Sequence, residues 1–220
     1  MLVAEALLLL LLDDEKGSTS SGYARDEGLA GAILLDLVAS GLVDERDGVL
    51  VAVGAEPSSP VLARAWRAIG ATSRSIKQWV RKLPGELKPI KRTVAEPLVA
   101  SGVISEERHK ILGLFPTTRY PEVDPGPEAS LRSRLRDVLV SGAEPDASVA
   151  GLLALLVPLD LVKRLVERDE RKAASARAKA VAERGPVGDA VRAAVQREVA
   201  AVVAATVAAT TASTAATTGG

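Results

Sequence analysis

The chain has 220 residues, with 28 basic and 28 acidic side chains and a formal net charge of zero. There is no cysteine, which excludes disulfides, thiolate metal sites and cysteine nucleophiles and makes the reducing cytoplasm the default compartment. Hydrophobic residues make up 47% but aromatics only 2%, so the core must be Leu, Val and Ala, a composition that favours packed helices over a sheet sandwich.

The first predicted element is an apolar helix over residues 3–12, ending in six consecutive leucines, Leu7 to Leu12. A membrane span needs about 20 apolar residues, and a signal peptide needs a basic start. This stretch is shorter, contains Glu5, has no Lys or Arg before it, and closes on Asp13, Asp14 and Glu15. It therefore reads as a buried helix. Residues 17–22 are a polar loop. From about Asp26 to Ser40, Leu29, Ile33, Leu34, Leu37 and Val38 recur at helical spacing, with Gly41 as the C-cap. Residues 48–54 read as a short strand bounded by glycines.

Helices follow at about 59–70, with Trp66 on the buried side, and at 73–83, carrying Trp79. Pro84-Gly85 is expected to break the second of these. Another helix runs from about Pro89 to Ser101. Beyond it, Arg108–Leu114 and Thr118–Tyr120 read as the arms of a β-hairpin. Further helices are expected at 127–141, 146–157 and 159–184. After a break at 185–188, a last helix starts near Asp189. Residues 1–205 read as one domain and 206–220 as a disordered tail.

Two eight-residue stretches echo each other: "DLVASGLV" at 36–43 and "PLVASGVI" at 97–104. Each is a helix end, a glycine and an apolar re-entry. A helix followed by a β-wing outlines a winged-helix nucleic-acid binder, whereas a glycine-capped helix end alone is generic. Residues 26–37 carry Asp26, Glu27 and Asp36 and no Lys or Arg, which opposes a DNA-reading helix there and makes nucleic acid an unexpected partner. A third reading is a helical protein-interaction scaffold, if the apolar stretch "VAAVVAATVAA" at 199–209 is exposed.

Catalytic patterns are absent. His109 is the single histidine, so there is no triad and no His-based metal site, and no nucleophile elbow, phosphate loop or dinucleotide fingerprint occurs. The reading is a binding protein rather than an enzyme, with no cofactor and no metal. Charge is the positive signal. Residues 1–48 hold ten acids and three bases, a net of −7, while residues 74–92 hold seven bases against Glu86 alone, a net of +6. Lys88 and Lys91, three apart at a helix start, share one side of it. With Arg92, and with Arg81 and Lys82 from the preceding helix, they form a candidate phosphate-attracting face.

The series "LVAEALLLLLLDDEKG", "GLAGAILLDLVASGLV", "PLVASGVISEERHKILGLFPTTRYP" and "LRSRLRDVL" resembles the Golgi phosphoprotein 3 family, over about residues 2–180 and in the form of its bacterial, actinobacterial members. The resemblance implies a mainly α fold: a compact helical bundle surrounded by amphipathic helices, with a short β-hairpin. It implies a peripheral membrane protein binding phosphatidylinositol 4-phosphate or another anionic phospholipid, cytoplasmic and attached to the inner face of the membrane. It leaves a protein client and self-association open.

By the resemblance, Lys88 and Lys91 match two basic pocket residues. A family arginine falls at Ala30, and a family tryptophan near Ser21 or Gly22. Arg25 or Tyr23 is then the candidate loop contribution. Leu114 and Phe115 fall where relatives insert apolar side chains into the bilayer, with core packing as the alternative.

Overall fold

A computed structural model describes residues 1–12, 22–111, 115–184 and 190–217. Among the described residues the chain is mainly α. Its helices are α1 (Val3–Leu12), α2 (Gly22–Ala39), α3 (Pro60–Ala71), α4 (Ile76–Glu86), α5 (Ile90–Ala100), α6 (Gly126–Leu139), α7 (Ala147–Leu156), α8 (Arg171–Arg184) and α9 (Ala190–Thr217). Two hairpins accompany them: β1 (Val43–Arg46) with β2 (Val49–Ala52), and β3 (Glu107–Ile111) with β4 (Phe115–Arg119).

Helix α2 is the axis, and α1, α3, α4, α5, α7 and α9 all pack on it. Helices α1, apart from Glu5, and α7 are apolar on nearly every side, and such helices are stable only when enclosed. The leucines at 7–11 are therefore core, as the length argument predicts. No helix among the described residues is long and apolar enough to cross a membrane.

Enclosing α1 strands the donors of its first turn, and Asp36 of α2 satisfies two of them. Its carboxylate accepts from Val3 N–H at 2.8 Å and Ala4 N–H at 3.0 Å. Asp36 itself is only 5% exposed.

The echoed segments turn out to be one capping device used twice. Leu42 N–H donates to Leu37 O at 2.9 Å and Gly41 N–H to Val38 O at 3.0 Å, with Gly41 at φ +64°. Val103 N–H donates to Leu98 O at 2.9 Å and Gly102 N–H to Val99 O at 3.1 Å, with Gly102 at φ +75°. Both are Schellman ends, in which glycine supplies the left-handed residue without strain. Helix α2 is buried along Gly28–Val38, so it has no face to lay in a DNA groove.

Four expectations need correction. First, residues 49–52 are one arm of a hairpin rather than a lone strand. Asp47 and Gly48, at φ +50° and +77°, make a two-residue turn between Arg46 and Val49. The chain thus has a second short hairpin. Second, Pro84-Gly85 does not end α4. The helix runs to Glu86 because Leu87 is buried and its N–H closes on Leu83 O at 2.9 Å.

Third, residues 159–184 are not one helix. After α7, Asp160 adopts φ +55°, and Leu161 N–H bonds back to Leu156 O at 3.0 Å. One short 3₁₀ turn at Val162–Arg164 follows, and α8 begins only at Arg171. Helix α9 runs to Thr217. Val195, Val199, Val202 and Val203 of α9 are buried, while Ala201, Ala204, Ala205, Ala208 and Ala209 are exposed, so one face of its middle belongs to the core and the other faces outward. Fourth, the arms of the second hairpin lie at 107–111 and 115–119, offset from the predicted arms, paired from Glu107↔Arg119 to Ile111↔Phe115.

Candidate functional site

The basic segment forms the outer end of the α4–α5 corner. Helix α4 starts at a capping box: Gln78 N–H donates to Ser75 Oγ at 3.4 Å and Ser75 N–H to Gln78 Oε1 at 3.0 Å. Burial of Trp79, Val80 and Leu83 turns one face of α4 inward and leaves Arg81 and Lys82 outside. After Leu87, Lys88 and Pro89 link α4 to α5. Helix α5 is anchored by Ile90, Thr93, Val94 and Ala95. Thr93 is fully committed: its hydroxyl donates to Leu87 O at 3.0 Å and accepts from Arg64 Nη1 at 2.9 Å.

Between this corner and α2 lies a cleft of about 440 Å³, lined by Arg81, Pro84, Gly85, Lys88, Pro89, Ile90 and Lys91 on one side and Asp26 and Glu27 on the other. That volume is in the range of small-ligand sites. Arg81 and Lys88 are exposed, and Lys91 is half-buried with Nζ 5.4 Å from the centroid of the Tyr120 ring. The N-cap residue Pro89 makes no side-chain cap, and the positive end of the α5 dipole lies beside these cations.

Of the predicted basic set, Arg81, Lys88 and Lys91 converge on the cleft. Lys82 stays on the exposed side of α4 and does not line it. Arg92 points elsewhere: its Nε lies 3.5 Å from Glu106 Oε2, ahead of β3. Arg74, counted in the +6 segment, pairs with Glu86 at 3.5 Å and lies over the Trp79 ring at 4.9 Å. Arg25 is half-buried on α2 and is not a lining residue. The side chain of Tyr23 lies outside the described residues, as do Leu114 and the side chain of Phe115. Ala30 is 0% exposed, so the family-arginine position is part of the core here.

The two carboxylates are what sequence reasoning missed. Burial raises the Asp26 carboxyl above the usual aspartate range, while the Lys91 ammonium pulls it back down. Glu27 accepts a hydrogen bond from the Thr206 hydroxyl of α9. A signal was present. Asp26 is one helical turn before Ala30, so a site residue at position 30 implies a neighbour at position 26.

Fold and cleft together define a mainly helical protein with a buried axial helix and a cationic recess at one corner. The family model described as Golgi phosphoprotein 3 (GPP34) matches residues 3–198. The match spans most of the sequence, and the chain belongs to the Golgi phosphoprotein 3 family.

Proposed function

We propose that the protein is a peripheral membrane protein that binds anionic phospholipid head groups in the α4–α5 cleft, by binding alone and without catalysis. The observation behind this reading is the convergence of Arg81, Lys88 and Lys91 at the uncapped start of α5. Cations near an anionic membrane are worth about 1 kcal/mol each, so three of them supply roughly 3 kcal/mol before any hydrogen bond to the phosphate. The family resemblance favours phosphatidylinositol 4-phosphate as the lipid and the inner face of the membrane as the location. With Ala30 buried, readout of that head group falls to Lys88, Lys91 and Arg81.

The test is co-sedimentation with phosphatidylcholine vesicles, plain or carrying phosphatidylglycerol, phosphatidylinositol or its 4-phosphate, at low and physiological salt. Binding to the anionic vesicles should weaken with salt and fall about 30-fold or more in Lys88→Glu/Lys91→Glu, which reverses two charges. Preference for the 4-phosphate would identify a head-group reader. Unchanged binding in the double variant would remove the site assignment.

A further inference from the structure

The cleft sets three cations against two carboxylates. A site built for phosphate alone gains nothing from carboxylates, so their presence needs a reason. Asp26 and Lys91 line the same recess from α2 and α5, and both are half-buried. The Lys91 ammonium acts on the Asp26 carboxyl and packs against the Tyr120 ring. Glu27 is different, because α9 supplies Thr206 to it.

We propose that Asp26 is the internal counter-ion of Lys91, a residue that weakens head-group binding until the carboxylate is displaced or protonated. The inference rests on the lipid reading above. Without ligand, a half-buried ammonium is costly unless an opposite charge accompanies it, and Asp26 supplies that charge. A phosphate arriving at Lys91 brings a second anion to the same cation, and the two anions repel. Proton uptake by Asp26 removes the repulsion and turns the carboxylate into a hydrogen-bond donor for a phosphate oxygen.

The other charged groups in the recess are Lys88 before α5, Arg81 of α4 and Glu27 of α2. Among the described residues, α1, α3, α7 and α9 place no charged side chain there. Burial already shifts the Asp26 carboxyl upward, so its protonation falls at milder acidity than that of an exposed aspartate. The sign follows: binding tightens as pH falls through the raised value.

The experiment uses phosphatidylcholine vesicles carrying phosphatidylglycerol, a phosphodiester whose own charge stays constant over mildly acidic to mildly alkaline pH. Wild type should bind more tightly at the acidic end. Asp26→Asn should bind about threefold more tightly than wild type at the alkaline end and lose most of the pH dependence. Asp26→Ser serves in its place if the Asn variant does not fold. Asn or Ser variants that match wild type at both pH values, while Lys88→Glu/Lys91→Glu abolishes pelleting, overturn the counter-ion and leave the lipid reading intact. Absence of pelleting for wild type and all variants removes both. A lipid-free check is a double-mutant cycle of Asp26→Asn and Lys91→Gln on thermal unfolding, where strict additivity also overturns the pairing.

Discussion

Asp36 shows how one buried carboxylate ties two helices together. It caps α1 from a position 33 residues away in sequence. Burial raises its pKa from 3.8 to about 6, and this outweighs the two backbone N–H bonds that favour the ionised form. A folded-state pKa above the unfolded one means that the native state binds the proton more tightly. The associated stability is therefore fully present below pH 3.8 and is lost as pH rises through about 6. Measured against Asp36→Asn by denaturant midpoints, the wild-type advantage should shrink over that window by up to about 3 kcal/mol. Asp36→Ala, which leaves both N–H groups of the buried helix start unpaired, should cost about 2–4 kcal/mol below pH 3.8 and less as pH rises through about 6.

At the scale of elements, the contact between α2 and α9 is set by a missing side chain. A Cβ at Gly31 would overlap Val199 Cγ1 of α9, with Leu155 of α7 at 3.4 Å behind it. Val199 is fully buried, so relief requires the packed α2–α9 contact to shift. Gly31→Ala should lower the unfolding free energy by about 1–3 kcal/mol, and Val199→Ala in the same chain should restore part of that loss. Two singly destabilising changes that add without recovery would show that the close approach is not limiting.

Helix ends and turns at this scale were largely legible. Gly41 and Gly102 announce their caps, because a left-handed residue is costly for anything but glycine. The Asp47-Gly48 turn has the same local chemistry, but the residues beside it look like a single strand. Pro84 misled for the opposite reason. Proline signals a break from local chemistry, whereas burial of Leu87 kept α4 going for another turn.

At the scale of the molecule, α9 closes the core. Val195, Val199, Val202 and Val203 each remove apolar surface worth about 1.5 kcal/mol, roughly 6 kcal/mol together and comparable with the whole stability of a typical domain. A chain ending at Arg184 should therefore lose its cooperative unfolding transition in calorimetry and gain dye-accessible apolar surface. A sharp transition near the wild-type temperature in that truncation would mean that α9 is an accessory. The charge asymmetry is also a molecular property. The acidic N-terminal part and the basic 74–92 segment meet in space, where Asp26 and Glu27 stand across from Arg81, Lys88 and Lys91. The +6 of the segment is thus reduced to a cleft with three cations and two acids, with Arg74 and Arg92 in ion pairs elsewhere.

The sequence alone determined the class of this protein. Too few aromatics, an apolar run too short to span a bilayer and apolar residues at helical spacing leave packed helices as the outcome, whereas Lys88 and Lys91 line one cleft although Lys88 lies in the link ahead of α5 and not on its first turn, as their spacing alone suggests. Tertiary structure decided which distant charges share a recess. Arg92 and Lys82 left it, Ala30 sank into the core, and Asp26 and Glu27 entered it from a helix more than fifty residues earlier. The physical reason is the difference in range. Caps, turns and periodicity are settled within a few residues, whereas the charge a ligand meets depends on how α2 packs against the α4–α5 corner, and no local pattern encodes that.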